Sequence, residues 1–542
     1  MTDWNFADVW EAIAREQPDA PAVVQGDRVV SWSAFERRAD AQARALAATG
    51  LAPGAKVAQL LYNAPEYLES LFACFKGSFV PVNTNYRYKD EELRTLWAAA
   101  DVSAVVFHGS FTRVVEAVRP RLPGITGWIH VDDDGTECPD WAVPLPDAVA
   151  APAAAAAAAA GAPRSGDDLV LIYTGGTTGR PKGVMWRQDD LFCVLNRTAE
   201  VRYPEDGTPA DVAPALRASK HPAARLVPGA PLMHAAASFT SMSVLDSGGC
   251  IVLLEGRRFD ASELLDLVER ERVTEISLVG DPFVRPILAE LRRSFERRDL
   301  SSLWLVISSG AMWSSETKAE LLALLPGITC VDTLGASESV GMASSVSTRK
   351  GTAETAGFRV RPGTRVIDAA GTPLAPGTGE VGRIAIPGRG PIGYYQDPEA
   401  SARTFPVIDG VRCAVPGDFA TIDSDGEIRF LGRGSGCINT GGEKVFPEEV
   451  EEVLKRHDAV EDAVVVGVAD DRFGEVVVAV VEPTAGAEPD VTELVAFVRL
   501  HLADYKAPKW IGVVPGLERA ANGKVDVRRW REYAASAVDP AP

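Results

Sequence analysis

Residues 169–183 read Leu-Val-Leu-Ile-Tyr-Thr-Gly-Gly-Thr-Thr-Gly-Arg-Pro-Lys-Gly. The first five form a short apolar run that predicts a buried strand. The four glycines that follow permit backbone conformations closed to other residues and let amides approach an anion closely. Thr174, Thr177 and Thr178 add hydroxyl donors, and Lys182 adds a positive charge. A polyphosphate needs this equipment. A loop required only to bend has no use for three threonines and a placed lysine. The Gly-Lys-Ser/Thr ending of a Walker loop is absent.

The surroundings of this loop predict an α/β fold. Residues 148–163, nearly all alanine with Pro152, Gly161 and Pro163, favour an exposed connector between two subdomains. Upstream, a turn at Leu51–Gly54 leads to an apolar strand, Val57–Leu61. A helical pattern over Ala64–Phe75 and a strand at Phe79–Val82 follow. Strand, helix, strand at this spacing suggests βαβ units and a parallel sheet. Downstream the alternation resumes: helix 261–271, strand 275–279, helix 283–297, strand 303–308, helix 314–324, strand 328–332. After about 360 short β-like runs with Gly and Pro turns predict a small β-rich subdomain. After Gly434 a compact α+β pattern follows, with helices 447–457 and 490–503, strands 462–468, 475–482 and 510–515, and a last helix from Val525. The chain of 542 residues is too long for one core. The expected division is a large N-terminal domain, 1–433, and a small C-terminal domain, 434–542.

Composition narrows the function. The balance of 55 basic against 75 acidic side chains, net −20, argues against nonspecific binding to nucleic acid or to an anionic membrane surface. It also requires that any polyanion site be a local exception. No run of about 18 apolar residues indicates a membrane span, and the N-terminal residues lack the pattern of a secretion signal. Seven scattered cysteines without CxxC pairing suit reduced thiols in the cytoplasm. Six dispersed histidines show no metal-ligand spacing.

Five further stretches accompany the loop: Pro231-Leu232-Met233-His234, Asp332-Thr333-Leu334-Gly335-Ala336-Ser337-Glu338, Gly417-Asp418, Gly432-Arg433 through Glu449, and Ala521-Asn522-Gly523-Lys524. Taken in order with the loop, they resemble the motifs of the acyl-adenylate-forming superfamily over the whole chain. That superfamily includes acyl-CoA synthetases, luciferases and peptide-synthetase adenylation domains.

The resemblance implies ATP, Mg²⁺ and coenzyme A as reactants and assigns roles. Thr174, Gly175, Gly176, Thr177, Thr178, Gly179 and Lys182 would hold the triphosphate, and Ser309, Gly310 and Ala311 would line the nucleotide site. Asp332 would meet the adenine amino group, and Leu334 stands where the family usually has a stacking tyrosine. Thr333, Gly335, Ala336 and Ser337 complete that motif around Glu338, the magnesium carboxylate. Asp418 would accept the ribose hydroxyls, with Arg433 beside it. His234 belongs to the acyl and pantetheine junction. Gly436 would be the pivot of a mobile C-terminal domain, Gly441, Gly442 and Lys444 its CoA-side loop, and Lys524 its catalytic lysine.

Two other patterns carry no chemistry in this reading. Gly388–Gly393 matches GxGxxG, but Pro391 and Tyr394-Tyr395 do not open a helix after a strand. Asp132-Asp133-Asp134 precedes Gly135 and reads as a turn. The segments 174–188 and 437–451 look most like actinobacterial fatty-acyl and steroid-side-chain CoA ligases, which makes a fatty or sterol-derived acid the expected substrate. Aryl-acid ligation, loading of a carrier protein, a luciferase-like oxygenase and a silent nucleotide-binding homologue are the alternatives. Homodimerisation enters by analogy alone.

Overall fold

The computed structural model describes residues 3–133, 135–145, 164–174, 181–220, 223–294, 298–311, 313–440, 443–470, 473–502, 504–520 and 523–538. The alanine-rich connector at 148–163 lies outside them, as does Asp134.

The strand Leu169–Thr174 sits inside an eight-stranded sheet. On one side lie Val80–Asn83, Lys56–Leu60, Val102–His108 and Gly127–Val131, all parallel, as the βαβ spacing required. On the other side Lys182–Arg187 returns antiparallel, so the threonine–glycine loop joins two adjacent antiparallel strands and does not lead into a helix. Gly393–Tyr394 pairs with that returning strand.

A second sheet of 15 strands has the antiparallel strand Arg28–Ser31 at its edge and then a parallel block: Pro21–Gln25, Cys250–Leu253, Arg225–Pro228, Glu275–Leu278, Leu305–Ser309 and Thr329–Ala336. At Ala336↔Ser339 the chain reverses through Ser337 and Glu338 into Ser339–Ser347. From there the sheet is antiparallel, through Gly357–Val360, Glu427–Arg433, Asp418–Ile422 and Gly382–Pro387. The β-rich region expected after 360 therefore starts at Ser339 and is hydrogen-bonded into the main sheet. It still encloses its own apolar cluster, including Met342, Phe358, Ile384, Ile386 and Ile428.

Element ends moved for local reasons. The last helix starts at Val527, two residues after the expected Val525, because the Asp526 side chain accepts from Arg529 N and caps it. The strand expected to end at 332 runs on to Ala336 because a neighbouring strand pairs with it.

The C-terminal unit is a five-stranded sheet with helices on both faces. Along Val460–Asp470, alternate residues serve opposite faces. Ala463 and Val465 join the cluster under helices Pro447–Lys455 and Val491–His501, while Val464 and Val466 join the one under Val527–Ala537. No two of the seven cysteines are joined in a disulfide. Asp132 accepts from Gly135 N, and Asp133 accepts from Ser110 and Arg257, so both carboxylates are tied within the fold. Among the described residues no helix is long and apolar enough to cross a membrane.

Candidate active site

A cavity of about 2700 Å³ lies where the two sheets, the β-rich extension and the C-terminal unit meet. Thr174 and Lys182 stand opposite each other at the mouth of the loop and line it. Gly175, Gly176, Thr177, Thr178 and Gly179 lie outside the described residues. The Lys182 ammonium sits 5.0 Å from the centre of the Tyr394 ring.

Glu338 occupies the two-residue turn between the last parallel strand and the first antiparallel one. The turn is held from two sides. Trp186 Nε1 donates to Ser337 O at 2.8 Å, and the Tyr394 hydroxyl donates to Glu338 Oε1 at 2.6 Å. Both partners come from the other sheet.

Upstream on the same strand, Asp332 is buried and accepts from Lys318 Nζ at 3.2 Å. Burial pushes its carboxyl up to about 6, against the pull of Lys318. Leu334 lines the cavity while its side chain also packs against the core of the β-rich extension. Thr333, Gly335, Ala336 and Ser337 line the cavity beside it. Ser309, Gly310 and Ala311 reach the same wall at the end of the neighbouring strand, and Gly310 takes φ +93°, a conformation that suits glycine.

Asp418, 2% exposed, accepts from Arg433 Nε at 3.2 Å. Its other oxygen, Oδ2, is buried with no hydrogen-bond partner among the described residues. Burial raises its pKa, opposed by Arg433. An unsatisfied buried acceptor on a cavity wall is what a ligand hydroxyl would satisfy.

Lys524 arrives from the C-terminal unit on a tight turn. Gly523 N donates to Ala520 O, Ala520 N donates to Lys524 O, and Arg519 Nη1 donates to Gly523 O. Arg519 is itself paired with Asp462. Gly523 has φ +72° and is pressed against Val279 and Pro282 of the large domain, where a Cβ would sit 3.2 Å from Val279 Cγ1. The Lys524 side chain is open to the cavity but enclosed by its walls. That enclosure, then repulsion from Arg433, lowers its pKa, and Glu338 opposes the shift. His234, at the N-cap of helix Ala235–Asp246, is lowered to about 4 by burial and then by the charges of Lys524 and Arg87. It is therefore a neutral imidazole near pH 7. An acidic chain has thus gathered Lys182, Arg433 and Lys524 around one cavity.

Gly436 and Cys437 line the cavity. Gly441 and Gly442 lie outside the described residues. The backbone of Lys444 belongs to the strand Glu443–Val445, paired with Ile438–Thr440. Among the described residues no group of three or more acidic, histidine or cysteine side chains forms a metal cluster.

Sequence reasoning missed Tyr394, Lys318 and Trp186. Tyr394 directly follows the GxGxxG match Gly388–Gly393. A strand, Gly393–Tyr394, and not a dinucleotide-binding helix follows that match, and the strand delivers the tyrosine. Only the neighbouring Tyr394-Tyr395 pair hinted at it.

A family model described as AMP-binding enzyme matches residues 10–395, and one described as AMP-binding enzyme C-terminal domain matches 449–524. The chain is 37% identical over 551 residues to a medium-chain acyl-CoA ligase of Mycobacterium avium, covering 99% of each. It is 35% identical over 532 residues to a 3-oxocholest-4-en-26-oate–CoA ligase of Rhodococcus rhodochrous, covering 97% of this chain and 95% of that one. The crystal structure of an anthranilate CoA ligase in complex with anthranoyl-AMP shares the fold, with TM-score 0.81, 22% identity, and 99% and 98% of the two chains covered.

Proposed function

The chain belongs to the AMP-binding enzyme family, and from that premise we propose how its residues divide the work of the reaction. The protein is an ATP-dependent, AMP-forming acid–CoA ligase. A carboxylate oxygen attacks the α-phosphorus of ATP, the bond to the β-phosphate oxygen breaks, and pyrophosphate leaves. The CoA sulfur, having lost its proton, then attacks the acyl carbon and AMP departs.

No side-chain nucleophile is needed, so positioning and charge neutralisation carry the catalysis. Thr174, Lys182 and the 175–179 loop hold the β- and γ-phosphates. Asp418, through its unsatisfied oxygen, accepts the ribose hydroxyls, and Arg433 orients that carboxylate. Asp332, already paired with Lys318, and the walls at 309–311 and 333–337 surround the adenine. Lys524 bridges the attacking carboxylate and the α-phosphate. His234, neutral, orients the acyl carboxylate. Glu338 offers the hard-oxygen donor that suits Mg²⁺, a cation usually held by one or two carboxylates plus phosphate oxygens. When bound, the ion neutralises triphosphate charge.

The observation that carries this reading is the presence of Lys524 in the same cavity as Thr174, Lys182 and Glu338. The braced turn that presents Lys524, tied by Gly523, Ala520 and Arg519, supports that role. For the second step, the unit from residue 434 onward rotates about Gly436. That withdraws Lys524 and brings the 441–444 segment to the adenylate. The short turn Gly434–Gly436 supports this, because glycine absorbs large dihedral changes.

The acid is a medium- or long-chain fatty acid or a steroid-side-chain acid. The names of the two relatives support this choice, and so does an apolar arm of the cavity beside His234. We place the reaction in the cytoplasm, where ATP, CoA and reduced thiols coexist, and we expect a homodimer.

The test is a panel of acids assayed for pyrophosphate release with MgATP, with and without CoA. Fatty and steroid acids should release pyrophosphate and yield thioesters only with free CoA. Strict preference for aryl acids, or thioester formation only on a carrier protein, would overturn the reading.

A further inference from the structure

The cavity extends well beyond His234. It follows one face of helix Ala235–Asp246, where Ala236, Phe239, Thr240, Ser243 and, at the C-cap, Ser247 recur at helical spacing. Twelve residues of helix span about 18 Å. Leu305 and Ile307 alternate along the strand Leu305–Ser309 and add apolar lining to the cavity.

The far end changes character. Ser247 Oγ accepts from Val201 N at 3.3 Å, which brings Glu200 there. Glu275 is in register with Leu305, and both line the cavity, as does Val279 four residues on. The pleat therefore turns the Glu275 side chain into the cavity. Glu275 is only 6% exposed. It has no hydrogen-bond or ion-pair partner among the described residues. Burial, then the nearby Glu200, pushes its carboxyl up to about 7. Near neutrality it donates a hydrogen bond as readily as it accepts one.

We propose that Glu275 is a specificity residue that hydrogen-bonds a neutral oxygen, a ketone or hydroxyl, at the end of the acid remote from its carboxylate. The proposal rests on the acid–CoA ligase reading and deepens it. An unfunctionalised hydrocarbon reaching this depth would strip water from Glu275 and return nothing, which is costly for a buried polar group. An ammonium would have to be desolvated along the apolar arm, at far greater cost than a ketone or hydroxyl. An elongated, largely apolar acid with a remote oxygen satisfies both the walls and the end.

The test uses the full-length protein and pairs of acids with one carbon skeleton, differing only in the remote oxygen. One pair is a 3-oxo steroid-side-chain acid and its 3-deoxy counterpart; the other is an ω-hydroxy long-chain fatty acid and its parent. The oxygenated member of at least one pair should have a kcat/KM for thioester formation about tenfold higher or more. Glu275→Leu should bring that ratio close to one, and Glu275→Gln, which still donates and accepts, should keep part of it. ATP binding shows that each variant is folded. If Glu275→Leu does not bind ATP, Glu275→Ala carries the same comparison. Equal kcat/KM within both pairs, a ratio that survives Glu275→Leu, or a stronger preference for the ω-amino acid overturns the proposal. If no acid forms a thioester, the ligase reading itself has failed; thioesters formed without discrimination defeat only the role of Glu275.

Discussion

The Tyr394 hydroxyl donates to Glu338 Oε1 across 2.6 Å, joining the edge of one sheet to the reversal of the other. Glu338 lies on a two-residue turn and would otherwise sample several rotamers. A bond to a charged acceptor, about twice as strong as a neutral one, fixes it. Burial, then the Glu338 charge, raises the pKa of the phenol, so the donor stays protonated.

Tyr394→Phe should therefore lower kcat/KM for pyrophosphate release about tenfold. It should raise the Mg²⁺ concentration needed for half-maximal rate and spare thioester formation from supplied acyl-AMP. A magnesium titration of both half-reactions checks this. An unchanged magnesium requirement would show that Tyr394 does not orient Glu338.

Lys318 and Asp332 form an ion pair whose side chains are 1% and 7% exposed. Removing one member leaves a buried charge without its partner, a loss of about 3–5 kcal/mol. Lys318→Met should lose that much in denaturant unfolding at pH 8. The Asp332 carboxyl is already held up at about 6 by burial, and losing the ammonium raises it further. An acid with a raised folded pKa destabilises as pH climbs above its ordinary value, so the variant should regain stability as pH falls through 6. A loss independent of pH would point to packing instead.

Glu448 packs against Gly432 and accepts from Arg433 N at 3.5 Å. Burial, then the charge of Glu451, pushes its carboxyl up to about 8. The protonated form is favoured while the C-terminal unit is docked. Docking is then strongest below the ordinary value of 4.5 and weakens as pH rises toward 8. Energy transfer between dyes on the two domains should fall between about pH 4.5 and 8 in the wild type and stay flat in Glu448→Gln. The same slope in both would assign the pH dependence elsewhere.

His234 titrates near 4, because burial and the cations Lys524 and Arg87 disfavour its charged form. The pH profile of adenylation between 5.5 and 8 should contain no step that His234→Gln removes, although that variant should be slower. A step near 6.5 that vanishes in the variant would mean that an imidazolium takes part.

The sequence spoke most clearly where chemistry demanded particular residue types. The loop at 174–182 could be picked out because a polyphosphate restricts the choice of residues, whereas Glu338, Asp418 and Lys524 stood out only through the resemblance of their motifs to those of the superfamily. The valine-rich strands of the C-terminal unit were legible for a different reason, since burial on both faces requires them. What stayed hidden was tertiary. Tyr394 is one tyrosine among ten until a strand pairing sets it beside Glu338. Lys318 looks like a surface lysine on a helix until its neighbours bury it. Glu275 looks like a polar start to a strand, and only register with Leu305 turns it into the cavity. The β-rich region seemed separate because composition cannot show that one hairpin joins it to the main sheet.

The most direct test of the account is Lys524→Ala, assayed in two halves. Losing a preorganised charge that acts only in the first transition state should cost adenylation, measured as acid-dependent ATP–pyrophosphate exchange, about 100-fold or more. Thioester formation from supplied acyl-AMP and CoA should stay within about threefold of the wild type, because Lys524 would be withdrawn in that step. An equal loss in both halves, or adenylation that survives the substitution, would contradict the convergence of Lys524, Lys182 and Glu338 on one triphosphate.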